Sequence, residues 1–386
     1  MSNAPGIRFN GFTDAWEQRK FIYLVDRVSK SNNDDTLPRV EFEDIISGLG
    51  QLNKDISKKH SFKSGIEFEN GDVLFGKLRP YLKNWLLPDF KGVAVGDFWV
   101  LRPNKNSNIY IYYLIQSDNF QVAANLSTGT KMPRSDWNVV SGTELYTPSV
   151  SEQTAIGNFF RTLDDIIALY KRKLDGLRKL KKAYLQVMFP ESGGIMPKLR
   201  FKGFTEPWDQ HKLEHYFNER SERSGGDELI SVTINSGVKK ASELDRQIIS
   251  SEDKSNYKTV KVGDIAYNSM RMWQGASGYS PYNGILSPAY TVITPNKNAY
   301  SQFFAYLFKR KSMIQIFQRN SQGLTSDTWN LKFPAFSQIE THVPSMDEQK
   351  MIYSFINSFD INIEALNHKL EKLNRLKSAY LKKMFV

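Results

Sequence analysis

The sequence predicts an α+β protein in which two globular mixed α/β domains are separated by an antiparallel two-helix coiled coil, with pseudo-twofold symmetry. Three observations predict it. An opening motif, Arg-Phe-x-Gly-Phe-Thr-x-x-Trp, stands at Arg8–Trp16 and returns at Arg200–Trp208, an offset of 200 − 8 = 192 residues. A second motif, Pro-Ser-x-x-Glu-Gln, stands at Pro148 and Pro344, an offset of 344 − 148 = 196. From each of these a long charged stretch with an apolar seam runs to Leu-Lys-x-Ala-Tyr-Leu-x-x-Met-Phe, at Leu180 and Leu376. A period this long is domain duplication, since solenoid repeats span only about 20–50 residues. The expected boundaries are residues 1–148 for the first globular domain, 149–190 for the first helix, 191–343 for the linker and second globular domain, and 344–386 for the second helix.

The long helices follow from periodicity. In the first, Leu163, Ile167, Tyr170, Leu174, Leu177, Lys181, Tyr184 and Met188 advance in alternating steps of four and three. Phe359, Ile363, Leu366, Leu370, Leu373, Lys377, Tyr380 and Met384 do the same in the second. Such a seam calls for a partner helix. The seam is interrupted by a lysine at the same place in both copies, which suggests a common pairing geometry. The direction follows from connectivity. Residues 151–188 as helix span about 57 Å at ~1.5 Å per residue, and a parallel pair would force the second globular region to stretch that whole distance. An antiparallel pair brings its entry and exit together, and also predicts that Met1 and Val386 lie near one another. Between the copies, Pro190-Glu191-Ser192-Gly193-Gly194-Ile195-Met196-Pro197 is rich in helix stoppers and reads as a linker.

Within the globular regions, Gly71–Phe75 and Val93–Leu101 read as strands and Ile109–Ala124 as an amphipathic helix. The second copy repeats the order with Gly263–Tyr267, Ile285–Thr294 and Ala299–Phe317.

Composition bounds the function. Of 386 residues, 40% are apolar, enough for real cores, and 52 Lys+Arg against 41 Asp+Glu leave a net charge of +11. That excess suits a polyanionic partner. Absence of cysteine excludes disulfides, thiolate metal sites and cysteine nucleophiles. With no apolar run of about 18 residues and no signal-peptide pattern after Met1, the chain reads as soluble, cytoplasmic and without a membrane partner.

Signatures of catalysis are missing. Gly48-Leu49-Gly50-Gln51-Leu52-Asn53-Lys54 lacks the second glycine and the hydroxyl residue of a phosphate loop. Ser287-Pro288-Ala289-Tyr290 departs from the methyltransferase motif at its third residue, and no glycine-rich cofactor loop accompanies it. Glu252-Asp253-Lys254 has no upstream acidic partner, and His211 and His215 lack the intervening Glu of a zinc helix. No catalytic residue and no metal ligand is expected.

Binding residues are easier to find. After the aligned Gly-Asp strands, the first copy carries Lys77, Arg79 and Lys83, and the second carries Ser269, Arg271, Trp273 and Gln274. Arg79 and Arg271 are equivalent, 271 − 79 = 192 residues apart, while their neighbours differ. A later loop changes likewise: Ser127–Arg134, with Lys131 and Arg134, stands against Ser321–Ser326, with Thr325. Arginine suits bidentate contacts to guanine or phosphate, and Gln or Ser suits a base edge. Equivalent frames with different polar tips are what reading two different sequences would require.

On the opening motifs at 8 and 200, the helix starts at 148 and 344 and the helix ends at 180 and 376, the chain closely resembles the specificity subunit of type I restriction-modification enzymes over essentially its full length. The resemblance implies a non-catalytic subunit whose two target recognition domains each read half of a split, asymmetric site in double-stranded DNA. It implies docking of two modification subunits that methylate adenine N6 and of restriction/translocase subunits. S-adenosylmethionine, ATP and magnesium would belong to those partners, and this chain would hold no cofactor. The coil would act as a ruler, with recognition domains about one DNA turn, roughly 34 Å, apart. The competing expectation is a non-catalytic coiled-coil scaffold that binds other proteins and not DNA.

Overall fold

Two helices dominate the fold, α1 at Val150–Val187 and α2 at Met346–Met384. The computed structural model describes residues 5–57, 59, 63–126, 131–191, 193–244 and 252–385. Each helix starts on a serine whose side chain accepts a backbone N–H three residues on: Glu152 N donates to Ser149 Oγ and Glu348 N to Ser345 Oγ. This satisfies one of the donors that every helix start leaves open. Pro190 lies just past the end of α1, where a helix cannot continue. No helix among the described residues is long and apolar enough to cross a membrane.

The chain forms two compact units, Met1–Leu174 with Ala365–Val386, and Asp175–Glu364. Each long helix is therefore shared between units. In both units α1 and α2 run antiparallel. In unit 1, Phe159 packs on Tyr380 at 5.1 Å and Lys369 sits over Tyr170 at 4.4 Å, so one helix descends as the other climbs. In unit 2, Tyr184 meets Phe359 at 5.6 Å and Phe355 at 4.9 Å. All seam residues, Leu163, Ile167, Tyr170, Leu174, Leu177, Tyr184, Phe359, Ile363, Leu366, Leu370, Leu373 and Tyr380, are buried or half-buried.

The two seam lysines have a structural purpose. Lys377 pairs with Asp164 at 2.7 Å, and Asp164 also accepts the Tyr113 hydroxyl at 2.9 Å. In unit 2, Lys181 pairs with Asp360, which accepts the Tyr306 hydroxyl at 2.6 Å. Burial, followed by the aspartate, pushes the ionisation of both tyrosines well above its usual range, so each stays a donor. A half-buried polar pair inside an apolar seam favours one register, because a slip would separate its charges.

Antiparallel pairing exchanges the helix ends between the sequence repeats. Met384 and Phe385, from the second repeat, are buried in the core of unit 1, where Phe385 stacks on Tyr110 at 5.4 Å. Met188 and Phe189, from the first, are buried in unit 2, where Phe189 stacks on Phe303 at 5.4 Å. Arg310 donates to Leu185 O and Pro190 O, satisfying carbonyls at the end of α1. Near the chain ends Ile7 N donates to Lys383 O at 3.4 Å. Met1 and Val386 themselves lie outside the described residues.

The opening motif is tied to the helix start. Arg8 makes two 2.8 Å bonds to Glu152, and Arg200 binds Glu348 at 2.9 and 2.6 Å. The glutamine that follows closes the joint: Gln153 accepts from Ser107 N, and Gln349 from Tyr300 N. Trp16 and Trp208 are buried beneath.

Each unit holds an antiparallel four-stranded sheet of the same order. In unit 1 it is Val25–Val28, Phe98–Pro103, Val73–Gly76, Trp85–Leu86; in unit 2 it is Phe217–Glu219, Tyr290–Pro295, Ile265–Asn268, Ser277–Tyr279. Corresponding strands start 217 − 25 = 192 residues apart. Asp72 and Asp264, which precede the third strand of each, are buried and held by two bonds from Arg102 and Arg220 respectively. The smaller sheets differ, with four short strands in unit 1 and two separate pairs in unit 2.

Four expected elements are divided. Val93–Leu101 is two strands, Gly92–Ala94 and Phe98–Pro103, because Gly96 turns the chain at φ 97°. Ile285–Thr294 splits into Gly284–Leu286 and Tyr290–Pro295 around Pro288, which cannot donate to a ladder. Ile109–Ala124 is two helices, Asn108–Leu114 and Asp118–Ala124, because Ser117 caps the second by accepting from Phe120 N. The first of these is not amphipathic, since Ile109 to Leu114 are all buried. Ala299–Phe317 is likewise Ser301–Leu307 and Lys311–Asn320.

The Arg8–Glu152 pair supplies a stability test. Glu152→Ala is expected to cost about 3 kcal/mol in urea unfolding because it strands a shielded guanidinium, whereas the paired Arg8→Met/Glu152→Met change costs clearly less. Equal losses would show that the pair itself, rather than the unpaired charge, carries the effect.

Candidate nucleic-acid interface

Two loops that are far apart in each sequence copy meet in space. In unit 1, Arg79 N donates to Pro133 O at 2.7 Å, Ser135 N donates to Lys77 O at 2.8 Å, and Leu78 bridges Arg134. In unit 2, Leu331 N donates to Ser269 O at 2.9 Å, and Trp273 packs edge-on against Trp329 at 5.2 Å. The strand ending at Gly76 or Asn268 delivers the first loop, and the segment after Asp118–Ala124 or Lys311–Asn320 delivers the second. The two tips that differ most between the copies thus form one surface in each unit. Ser127, Thr128, Gly129 and Thr130 of the later loop lie outside the described residues.

The cations of unit 1 fall into two groups. Lys77 and Arg134 converge on Asp97, at 3.6 and 3.0 Å, which spends part of their charge within the fold. Arg79, Lys83 and Lys131 have no carboxylate partner among the described residues, and Lys83 and Lys131 are exposed. The Arg79 Nε is buried and meets no hydrogen-bond partner among the described residues, a vacancy that is costly for a guanidinium.

Backbone geometry singles out the same turn. Pro80–Leu82 is one turn of 3₁₀ helix bounded by Arg79 at φ 49° and Lys83 at φ 56°, both left-handed. Left-handed conformation costs a residue with a Cβ about 1–2 kcal/mol. In unit 2 the matching turn is Met272–Gln274, Arg271 is at φ −128°, and the position matching Lys83 is Gly275 at φ 83°. A glycine takes that conformation in one copy and a lysine bears it in the other. Such strain persists where surrounding structure over-determines it and concentrates at functional sites. The over-determination is visible: Gly48 N donates to Lys83 O at 2.9 Å, Ser47 Oγ to Leu82 O, and Lys83 N to Pro80 O at 2.9 Å.

In unit 2, Arg271 and Thr325 are exposed, and Trp273 and Gln274 are half-buried. Ser269 departs from expectation: it is buried, its hydroxyl is hydrogen-bonded to Thr291 Oγ1 at 2.7 Å, and it braces the loop from inside. The basic pattern alone left out the exposed apolar residues on these surfaces, Tyr81, Leu82 and Met132 in unit 1 and Leu324 in unit 2. The available signal was an aromatic and a leucine standing between two cations in Arg79-Pro80-Tyr81-Leu82-Lys83. Elsewhere, His211 and His215 stack at 4.2 Å, and His215 Nε2 is engaged by Asn298.

These features define a class: a tandem protein whose helix-braced units each present a variable, cationic loop surface on a constant frame. Residues 215–375 match the family model of the type I restriction modification DNA specificity domain. A type I restriction enzyme specificity subunit from Methanocaldococcus jannaschii is 24% identical over 148 residues, 36% of this chain and 33% of that protein. The match therefore spans about a third of the relative's length. The crystal structure of the S subunit of a type I restriction-modification system from M. genitalium is similar over 99% of both chains, with a TM-score of 0.62 at 16% identity. A chain from a study of complex assembly and conformational transition in a type I R-M system is similar over 97% of this chain and 98% of its own, with a TM-score of 0.53 at 16% identity. At these identities the likeness is one of fold.

Lys83→Gly should separate strain from use. We expect the glycine variant to gain up to about 1 kcal/mol in thermal or urea unfolding while its affinity for duplex DNA falls. A variant that loses stability would show that the left-handed lysine is not strained.

Proposed function

We propose that the chain is the DNA sequence-recognition subunit of a type I restriction-modification complex, reading a bipartite asymmetric site in double-stranded DNA with one loop surface per unit. The observation that carries this reading is the pair of equivalent surfaces whose frames share strand order and sequence offset while their tips differ, Lys77-Leu78-Arg79-Pro80-Tyr81-Leu82-Lys83 against Ser269-Met270-Arg271-Met272-Trp273-Gln274-Gly275. One surface read twice would give a symmetric target, and two unlike surfaces give an asymmetric one. Lys83, Lys131 and Arg271 stand exposed to meet phosphates, and the half-buried Arg79 stands between Lys77 and Lys83 with no carboxylate partner among the described residues. The chain is proposed to be non-catalytic, to need no cofactor of its own and to work in the cytoplasm. S-adenosylmethionine, ATP and magnesium are then requirements of the partner subunits.

Partner docking is proposed on the long helices. Leu180 of α1 and Leu376 of α2 occupy equivalent places, 376 − 180 = 196 residues apart, and both are exposed, by 49% and 40%. The recurrence of one exposed leucine at equivalent places on the two helices supports two copies of one partner, the modification subunit, with restriction subunits joining that assembly.

Arg79→Ala in the assembled complex is expected to cost about 1–3 kcal/mol on one half-site only, and Arg271→Ala the same on the other. Titration against duplexes carrying each half-site, with salt varied, reads this out; loss on every sequence alike would assign these arginines to phosphates, and binding without a salt slope would favour a protein scaffold. Leu180→Lys and Leu376→Lys should each remove one of two modification subunits from the complex, measured by mass in solution. Full occupancy in both variants would place docking elsewhere.

A further inference from the structure

We propose that the turn Pro80–Leu82 of unit 1 is an apolar wedge, which drives Tyr81 and Leu82 against or between bases of its half-site and deforms the duplex there. The inference rests on the DNA-reading function proposed above and names residues that hydrogen-bond readout would not select. Tyr81 is 56% exposed and Leu82 41%, at the apex of a turn so short that neither can fold back onto the core. Large apolar side chains held out into water with cations on either side have little use in a free protein. They match the way proteins part base steps, since wedges of this kind are driven in between bases while neighbouring basic residues hold the backbone.

Rigidity is the second argument. A wedge must not bend when pushed into a stack, and this turn is fixed at both ends: Arg79 N is bonded to Pro133 O, Lys83 O to Gly48 N, and Pro80 is buried. The two left-handed residues keep Arg79 and Lys83 on the flanks of the apex. The charge around it selects the partner, because Arg79, Lys83 and Lys131 have no carboxylate to neutralise them among the described residues, while the nearby Asp97 is already shared by Arg134 and Lys77. A cationic rim about an apolar apex complements stacked bases inside a phosphate backbone. It is poorly matched to a protein groove, where lysines such as Lys83 and Lys131 are depleted.

Unit 2 builds the same frame differently. Trp273 takes the place of Tyr81, but it is half-buried, donates its Nε1 hydrogen to Met270 O at 3.0 Å and leans on Trp329. The wedge is therefore assigned to the first half-site, an asymmetry that follows from the tips and not from the shared scaffold.

The test uses the full chain assembled with its modification subunits. Wild type is first made to select its site from a pool of random duplexes, and 2-aminopurine is then placed at single positions of the selected first half-site. Binding is expected to raise the fluorescence at one step. Tyr81→Ala/Leu82→Ala should abolish that rise and weaken binding to the first half-site by about tenfold or more; Tyr81→Phe should preserve both, and circular dichroism checks folding. Unchanged fluorescence and affinity in the double alanine variant overturn the wedge while leaving the reading function intact. Loss of modification subunits from that variant, with DNA binding retained, would reassign the turn to protein docking and also overturn it. Failure of wild type to select any site would instead strike the reading function.

Discussion

Everything in this fold depends on a charged pair placed where an apolar seam would tolerate slippage. Lys377 with Asp164 in unit 1, and Lys181 with Asp360 in unit 2, sit between antiparallel helices whose other contacts are leucine, isoleucine and aromatic rings. Apolar packing alone specifies register weakly, because a slipped seam buries nearly the same area. A shielded ion pair does not survive a slip. Each aspartate also takes the hydroxyl of Tyr113 or Tyr306 from a helix of the globular part, so one carboxylate fixes helix against helix and helix against domain. The repeated Arg–Glu joint at Arg8–Glu152 and Arg200–Glu348 anchors the opening segment to the same helices.

This bracing explains why the repeated motifs carry no chemistry. Most residues of the repeated motifs are spent on architecture: the tryptophans are buried, the glutamates are paired, the glutamines satisfy loop backbone, and the Met-Phe helix ends fill cores. The exchange of helix ends makes each unit a composite of both repeats. In each unit the core is completed by the helix end of the other repeat. What distinguishes the two units is left to the loop tips that do not repeat.

The loop surfaces show how a constant scaffold tolerates variable tips. The four-stranded sheet delivers the first loop from the end of the equivalent strand in both units, and one or two backbone hydrogen bonds fasten the second loop to it. Side chains on either loop can change without loss of that fastening, because main-chain atoms make it. Where the tip imposes strain, as at Arg79 and Lys83, the neighbouring hydrogen bonds hold it, and at the position of Lys83 the second unit places Gly275, which takes the left-handed conformation without that cost.

Sequence by itself determined the duplication, the two long helices, their antiparallel sense and the equivalence of Arg79 and Arg271, because these rest on periodicity, chain connectivity and fixed offsets. It overextended the interior elements, joining helices that Ser117 separates and strands that turn at Gly96 or break around Pro288, since caps and turns interrupt a pattern that hydropathy alone continues. Tertiary structure decided three things that no local pattern encodes. It brought the two variable loops together, it buried Ser269 where a surface hydroxyl was expected, and it turned the seam lysines from interruptions into register locks. In each case the deciding partner, Pro133, Thr291, Asp164 or Asp360, lies tens to hundreds of residues away, and only packing brings it within a hydrogen bond.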